Sequence, residues 1–223
     1  MKIKGAIFDM DGTLVDSLSF WDILWERMGE TYLGKKNFRP SEEVDKNVRT
    51  MIFTKAMGYV KNVYSIDVSE DELTNFGTSS LADFYRNTVG LKTGARELLD
   101  ALEAKGIKMC LATATDMQYV RIALEKLDLN KYFVSVMSCA DIGKGKDQPD
   151  IYLNAVDALG FAREDICVFE DSYVALETAR NIGLKTIGIF DKYNFGQDRL
   201  EKASIIYLGE NRSLGELVKE IEA

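Results

Sequence analysis

Ile3 to Phe8 form a short apolar and β-branched run of the kind that makes a buried parallel strand, and Gly12 breaks it. From Asp16 to Thr88 the apolar positions follow helical spacing instead. Phe20, Ile23, Leu24 and Met28 suit a helix that Ser17 can cap, and two further helices are predicted over about Ser41 to Val60 and Ser69 to Thr88. Trp21 and Trp25, four apart on the first of these, are expected to pack inside a small helical unit. From Thr93 onward helices and strands alternate. Strands are predicted at Ile107 to Ala112, Phe133 to Met137, Ile166 to Phe169 and Lys185 to Phe190, with a weaker one near Ser204 to Ile206. Helices are predicted at Ala95 to Ala104, Asp116 to Leu127, Asp150 to Leu159, Ser172 to Asn181 and Ser213 to Ile221. Alternation of this kind implies right-handed βαβ units, so the fold class is α/β, a doubly wound and mainly parallel, Rossmann-like sheet. The expected organisation is a core of residues 1–15 and 89–223 with a helical domain, 16–88, inserted after the first strand.

In such sheets ligands bind beyond the carboxyl ends of the strands, so the polar residues there should form a coherent set. The first end offers Asp9 and Asp11, the second Thr113, and the fourth Glu170 and Asp171. If strand alternation continues past Phe8, Asp9 and Asp11 point the same way with Met10 turned to the core. Clustered carboxylates repel unless a cation lies among them or one holds a proton. An oxygen-rich set suits Mg²⁺, a hard ion that takes a few carboxylates and accepts a phosphate oxygen.

Composition narrows the chemistry further. The 223 residues are 46% hydrophobic and 29% charged, as in ordinary globular proteins, and can hold one large domain or a core with a smaller insert. A net charge of -8 argues against nucleic-acid partners and anionic membranes, although a small anion could still bind where a metal or a placed Lys supplies local positive charge. No apolar run approaches the roughly 20 residues that span a bilayer, and Met1 to Gly5 lead into a strand rather than a secretory signal. A cytoplasmic location is therefore expected, and a monomer is the preferred state, with the oligomeric state left open by the sequence. The sequence has no histidine, which removes the Ser-His-Asp triad and imidazole ligands, so acid-base work falls to carboxylates, Lys, Tyr or Cys. Cys110, Cys139 and Cys167 are widely spaced among apolar residues and are expected to be buried free thiols.

The string Phe8-Asp9-Met10-Asp11-Gly12-Thr13-Leu14-Val15-Asp16-Ser17 resembles the signature of the haloacid dehalogenase superfamily, in the branch of phosphoglycolate phosphatases and β-phosphoglucomutase. Lys146-Asp147-Gln148-Pro149-Asp150-Ile151-Tyr152 resembles the family's Lys-Pro-x-Pro-Asp-x-Tyr motif, with Asp147 where Pro is usual. This alignment favours Lys146, with Lys144 a competing candidate two residues earlier. The resemblance implies that Asp9 is a nucleophile, Asp11 a general acid and base, and Lys146 a counter-charge to nucleophile and phosphate. It further implies that Gly12, Thr13, Thr113, Ala114 and Lys146 bind the substrate phosphate, and that Asp9, Asp11 through its carbonyl, Glu170 and Asp171 hold Mg²⁺. The expected activity is hydrolysis of a small phosphorylated metabolite through an aspartyl-phosphate, with the helical insert as a cap that sets specificity. Three alternatives share the fold. A phosphomutase is disfavoured by Trp21 in place of a cap histidine and by Asp116 in place of a lysine. A silent binding module is disfavoured because Asp9, Asp11 and Lys146 are all present, and a dehalogenase because Asp11 is. For Arg27, Lys35, Lys36, Arg39 and Arg49 in the insert, ordinary solvated charge is the preferred reading.

Overall fold

In a computed structural model of the protein, residues 1–51 and 53–223 are described, Thr50 by its backbone alone. The chain divides into two compact units, Ser19–Thr88 and, from either side of it, Met1–Leu18 with Val89–Ala223.

Among the described residues the unit Ser19–Thr88 holds four α-helices: α1 (Phe20–Met28), α2 (Glu42–Thr50), α3 (Phe53–Tyr64) and α4 (Glu70–Asp83). The Ser41 hydroxyl accepts the Val44 N–H at the start of α2, and Ser69 does the same for Glu72 at the start of α4. The carboxylates of each first turn also suit the positive end of the helix dipole. Phe20, Leu24, Trp25 and Met28 make the buried face of α1, and the Trp25 indole donates to Asp45 Oδ1 at 2.7 Å. The single helix expected over 41–60 is in fact two. Met51 adopts an extended backbone with ψ 156° at the end of α2; Ile52, part of the same expected helix, lies outside the described residues. The end of the helix expected to run to Thr88 is a π-helical turn, Phe84–Thr88.

In the other unit, strands β1 (Gly5–Phe8), β2 (Val15–Asp16), β3 (Gly90–Leu91), β4 (Lys108–Thr113), β5 (Phe133–Ser138), β6 (Ile166–Glu170), β7 (Lys185–Ile189) and β8 (Ile206–Leu208) form two sheets. Six of them make one parallel sheet in the order β5-β4-β1-β6-β7-β8, and β2 pairs antiparallel with β3. The helices are α5 (Ala95–Ala104), α6 (Met117–Lys126), α7 (Cys139–Ile142), α8 (Asp150–Leu159), α9 (Tyr173–Asn181) and α10 (Gln197–Ala203). This is the mainly parallel, doubly wound α/β sheet with flanking helices that the alternation predicted. Asp16, expected to open the helical segment, is instead strand, and the segment expected as a helix over 213–221 is a 3₁₀ helix, Leu214–Lys219, opened by a Ser213–Glu216 capping box. The short α7 had no periodicity to announce it. All three cysteines are buried and free. Among the described residues, no helix is long and apolar enough to cross a membrane.

The first strand of the chain lies in the middle of the sheet. Every residue of β1 and β6 is buried, and Phe8 stacks on its register partner Phe169 with ring centroids 4.2 Å apart. That pair lies directly beneath the carboxyl ends of both strands and sets their relative height. Removing one ring leaves a cavity that a close-packed core fills poorly, so Phe169→Ala should cost about 3–5 kcal/mol in urea denaturation; a cost below about 1 kcal/mol would show that the ring is not part of the packed core.

Candidate active site

The Asp9 N–H donates to the Phe169 carbonyl at 3.0 Å, so the backbone stays beside β6 for one residue past β1 and the side chain is buried. The chain then turns sharply. The Met10 carbonyl accepts from Leu14 and Val15 (3.0 and 2.9 Å), and the Gly12 N–H donates to the Val15 carbonyl at 2.9 Å. Gly12 has φ +83°, and a Cβ there would stand 2.0 Å from Asp171 Oδ2, so both its conformation and its surroundings require glycine. Because β1 ends at Phe8, strand alternation does not carry through to Asp11. Met10 is buried as expected, but the Asp11 carboxylate is held separately: Ser17 Oγ donates to Oδ1 at 2.6 Å, Thr115 Oγ1 to Oδ2 at 2.7 Å, and Thr113 Oγ1 to Oδ2 at 3.4 Å.

Three carboxylates come together instead of four. One ligand oxygen from each of Asp9, Glu170 and Asp171 lies within 4.8 Å of the other two, and all three residues are buried. The Lys146 ammonium bonds Asp9 Oδ1 and, at 2.8 Å, Glu170 Oε2. Burial opposes charge on Lys146, but Asp9 and Glu170 outweigh it and hold the ammonium well above its ordinary range. Burial first, then Glu170, push the Asp9 carboxyl from its ordinary 3.8 to about 7, with Lys146 pulling the other way. Burial, then Asp9 and Glu170, push Asp171 well above the carboxylate range. Tyr152 is likewise pushed up by burial and by Glu170, stays a phenol, and lies 3.3 Å from Glu170 Oε2. Three buried carboxyl groups share one ammonium, and for want of further positive charge Asp9 and Asp171 are driven towards their protonated forms; a divalent cation such as Mg²⁺ among these hard oxygen donors fits that deficit.

The expected site residues have these partners in the structure. The Gly12 N–H, expected to bind phosphate, is engaged with Val15, and Thr13 is fully buried with its hydroxyl donating to Asp171 Oδ1 at 3.2 Å. Both residues shape the acidic cluster. Ser17 does not cap α1, whose N-cap is Ser19; its hydroxyl is on Asp11. Lys144 pairs with Asp150 at 2.5 Å, which leaves the cluster to Lys146. Thr113 is buried at the end of β4 and accepts the Thr115 N–H at 3.1 Å, while Ala114 beside it is exposed. Arg49, expected to be solvated, is only 10% exposed and bonds Asp45 at 2.7 Å. Thr115 and Asn194 were not anticipated. Thr115 stands two residues past Thr113 at the same strand end, a cue that existed. The Asn194 carboxamide donates to Asp171 Oδ2 from the loop after β7, where no pattern in the sequence marks it. A cavity of about 290 Å³, lined in part by Lys92, Asp191, Tyr193 and Arg212, contains none of the cluster carboxylates.

The family model for haloacid dehalogenase-like hydrolases matches residues 3–183, and the chain belongs to that family. It is 30% identical to a Thermotoga maritima phosphorylated carbohydrates phosphatase over 98% of this chain and 100% of that protein. It is 27% identical to the phosphoglycolate phosphatase of Escherichia coli K12 over 94% of this chain and 90% of that one. A solved Thermotoga maritima structure, provisionally named a β-phosphoglucomutase, superposes with a TM-score of 0.84 at 26% identity, covering 98% of this chain and 99% of its own. The chain is thus a hydrolase of this family, in the branch of phosphoglycolate phosphatases and β-phosphoglucomutase.

Because the folded Asp9 carboxyl titrates at about 7 and an unfolded one near 3.8, the folded protein binds more protons between those values. With divalent ions removed by EDTA, this group therefore takes stability away as pH rises through that window. Asp9→Asn, which cannot ionise, should gain on the wild type by on the order of 2–4 kcal/mol between pH 5 and pH 8 in EDTA. Urea denaturation of both proteins at the two pH values measures it, and a difference that does not change with pH would contradict the assignment.

Proposed function

We propose that the protein is a Mg²⁺-dependent phosphomonoesterase that hydrolyses a small phosphorylated organic substrate, with a phosphorylated carbohydrate the preferred class. The observation that carries this reading is the buried trio of Asp9, Glu170 and Asp171 with Lys146 bonded to two of its members. The names of the phosphatase relatives support the substrate class. Asp9, Glu170, Asp171 and the Asp11 carbonyl would hold the ion, which supplies charge neutralisation between a carboxylate nucleophile and the phosphate oxygens.

On this reading an Asp9 carboxylate oxygen attacks phosphorus, the bond from phosphorus to the ester oxygen breaks, and an aspartyl-phosphate forms on Asp9. Lys146 lies beside the nucleophile and neutralises charge on the transferring oxygens. The Thr113 hydroxyl and the backbone at Ala114 provide donors at the end of β4. Asp11 gives a proton to the departing alkoxide, then takes one from the water that attacks phosphorus and releases inorganic phosphate. Its separate bracket of hydroxyls suits that role, because Ser17 and Thr115 can donate to the carboxylate and accept from the acid.

The structural likeness to the provisionally named β-phosphoglucomutase favours a second reading, transfer of phosphate within a hexose phosphate. Asp116, at the start of α6 and exposed, brings negative charge where the second phosphate of a bisphosphate intermediate would need a cation.

A panel of sugar phosphates, nucleotides and phosphoglycolate, assayed for phosphate release with Mg²⁺ and with EDTA, tests the proposal. Release should require Mg²⁺, and Asp9→Asn should lower it by at least about 10³-fold with the fold intact. Asp11→Asn should slow alkyl phosphates far more than an activated aryl phosphate, whose leaving group needs little protonation. Conversion of a hexose 1-phosphate to its 6-phosphate isomer would establish the mutase instead, and full activity of Asp9→Asn would overturn the mechanism.

A further inference from the structure

Lys146 bonds Asp9 and Glu170, whereas the hydrogen bonds to the Asp171 carboxylate come from neutral groups. Thr13 Oγ1 donates to Oδ1, and the Asn194 carboxamide donates to Oδ2 and also to the Asp171 carbonyl at 3.3 Å. Asn194 therefore grips both the side chain and the backbone of a residue 23 positions earlier.

The loop that carries Asn194 is itself clamped, and Asp191 is the centre of the clamp. Asp191 is buried, and its Oδ2 lies 2.8 Å from the Lys92 ammonium, just past β3. Its Oδ1 accepts the Tyr193 N–H at 2.9 Å, and its carbonyl accepts the Asn194 N–H at 3.1 Å and the Gln197 side chain at 3.0 Å. Lys92 also donates to the Phe190 carbonyl at 2.9 Å, and the Tyr207 hydroxyl of β8 holds Gln197 at 3.0 Å. Gly196 closes the loop at φ +74°, where a Cβ would come within 2.6 Å of the Tyr173 ring. A partly buried ion pair, with Asp191 the buried member, thus fixes the backbone from which Asn194 is aimed.

We propose that Asn194 is a positioning residue for Asp171, held by the Lys92–Asp191 pair, and that it presents Asp171 to a divalent cation as an oriented carboxyl group to which Lys146 is not bonded. A neutral carboxamide suits this task. It fixes the rotamer as an ammonium would, but brings no positive charge to compete with the ion, and such partners of ligating carboxylates typically govern metal affinity by 10–100-fold. The inference rests on the metal-dependent reading above and adds to it the residue that sets the affinity.

The test uses the full chain without substrate, so that it does not depend on which phosphate ester is hydrolysed. Mn²⁺ binding, followed by electron paramagnetic resonance, should weaken by about 10-fold or more in Asn194→Ala. Lys92→Met should produce a smaller loss in the same direction. Phe195→Ala, an exposed neighbour in the loop, should bind as the wild type does. With phosphate release as a second readout, kcat of Asn194→Ala at saturating Mg²⁺ should return to within a few-fold of wild type while the Mg²⁺ concentration for half-maximal rate rises. If Asn194→Ala does not fold, Asn194→Ser is read on the same scale. Mn²⁺ affinity within two-fold of wild type in the folded variant would overturn the inference, and so would a wild type that binds no Mn²⁺, which would also remove the metal from the proposed mechanism. Weakened binding in Asn194→Ala by a protein that hydrolyses no phosphomonoester on the panel would sustain this inference and overturn the phosphatase reading alone.

Discussion

The contact of Lys146 with Asp9 and Glu170 is the interaction on which the site depends. A carboxylate buried without a partner is strongly disfavoured, and so is a buried ammonium. Here two carboxylates share one ammonium and a third, Asp171, lies within reach of both. The arrangement is tolerable with one positive charge and complete only with more. The sheet makes it possible, since β1 and β6 are neighbours and their carboxyl ends deliver Asp9, Glu170 and Asp171 to one place, with Phe8 and Phe169 stacked below. The lysine arrives from a different connection, the segment between α7 and α8. A cluster of like charges has thus been assembled on rigid strands, and its counter-charge comes from a loop.

Two carboxylates separated by one residue have been given different surroundings. Asp9 is buried among charges, whereas Asp11 is half-buried and held by the hydroxyls of Ser17, Thr115 and Thr113. The tight turn through Gly12 achieves the separation, because without it the two side chains would follow the strand and face the same way. Environments that differ in this manner are how one fold assigns separate tasks to chemically identical groups.

The sheet and most of its helices were legible in the sequence because burial on both faces writes a continuous apolar run, and each run here ended in a polar residue at the place where a parallel sheet gathers ligands. Asp9, Glu170 and Asp171 could be found for that reason, since each stands at or just past the end of such a run. Lys146 was harder to place, as hydrophobicity says nothing about residues 143–149, and only the resemblance of the string ending in Pro149-Asp150-Ile151-Tyr152 singled it out from Lys144. The turn at Gly12 was visible as a break, but the use of its N–H was not, because which partner a loop amide takes depends on tertiary closure. Asp191, just past the strand predicted over Lys185 to Phe190, carried the same cue as Asp9, Glu170 and Asp171, but its pairing with Lys92 and the role of Asn194 were illegible for the same reason as the Gly12 N–H. Asp191 and Lys92 meet through chain segments about 100 residues apart, and Lys92 and Asn194 each look like an ordinary polar residue in their own neighbourhood. The break in the helix expected over 41–60 shows the opposite limit, since the periodicity on either side of it was sound and a local backbone choice at Met51 decided the outcome.

The position of β1 has a consequence for biosynthesis. It is made before either of its neighbours, since β4 and β6 are both encoded after the whole of Ser19–Thr88. On a ribosome adding about 5–20 residues per second, the helical unit emerges complete while β1, with its apolar face and its Asp9, still has no strand on either side. Pairing that must bridge about 100 residues of intervening chain is slow, because loop closure has to precede any reward from contact. The nascent chain therefore carries an unpaired, aggregation-prone strand through much of its synthesis, and chaperone dependence during expression would reflect the topology of the core more than its final stability.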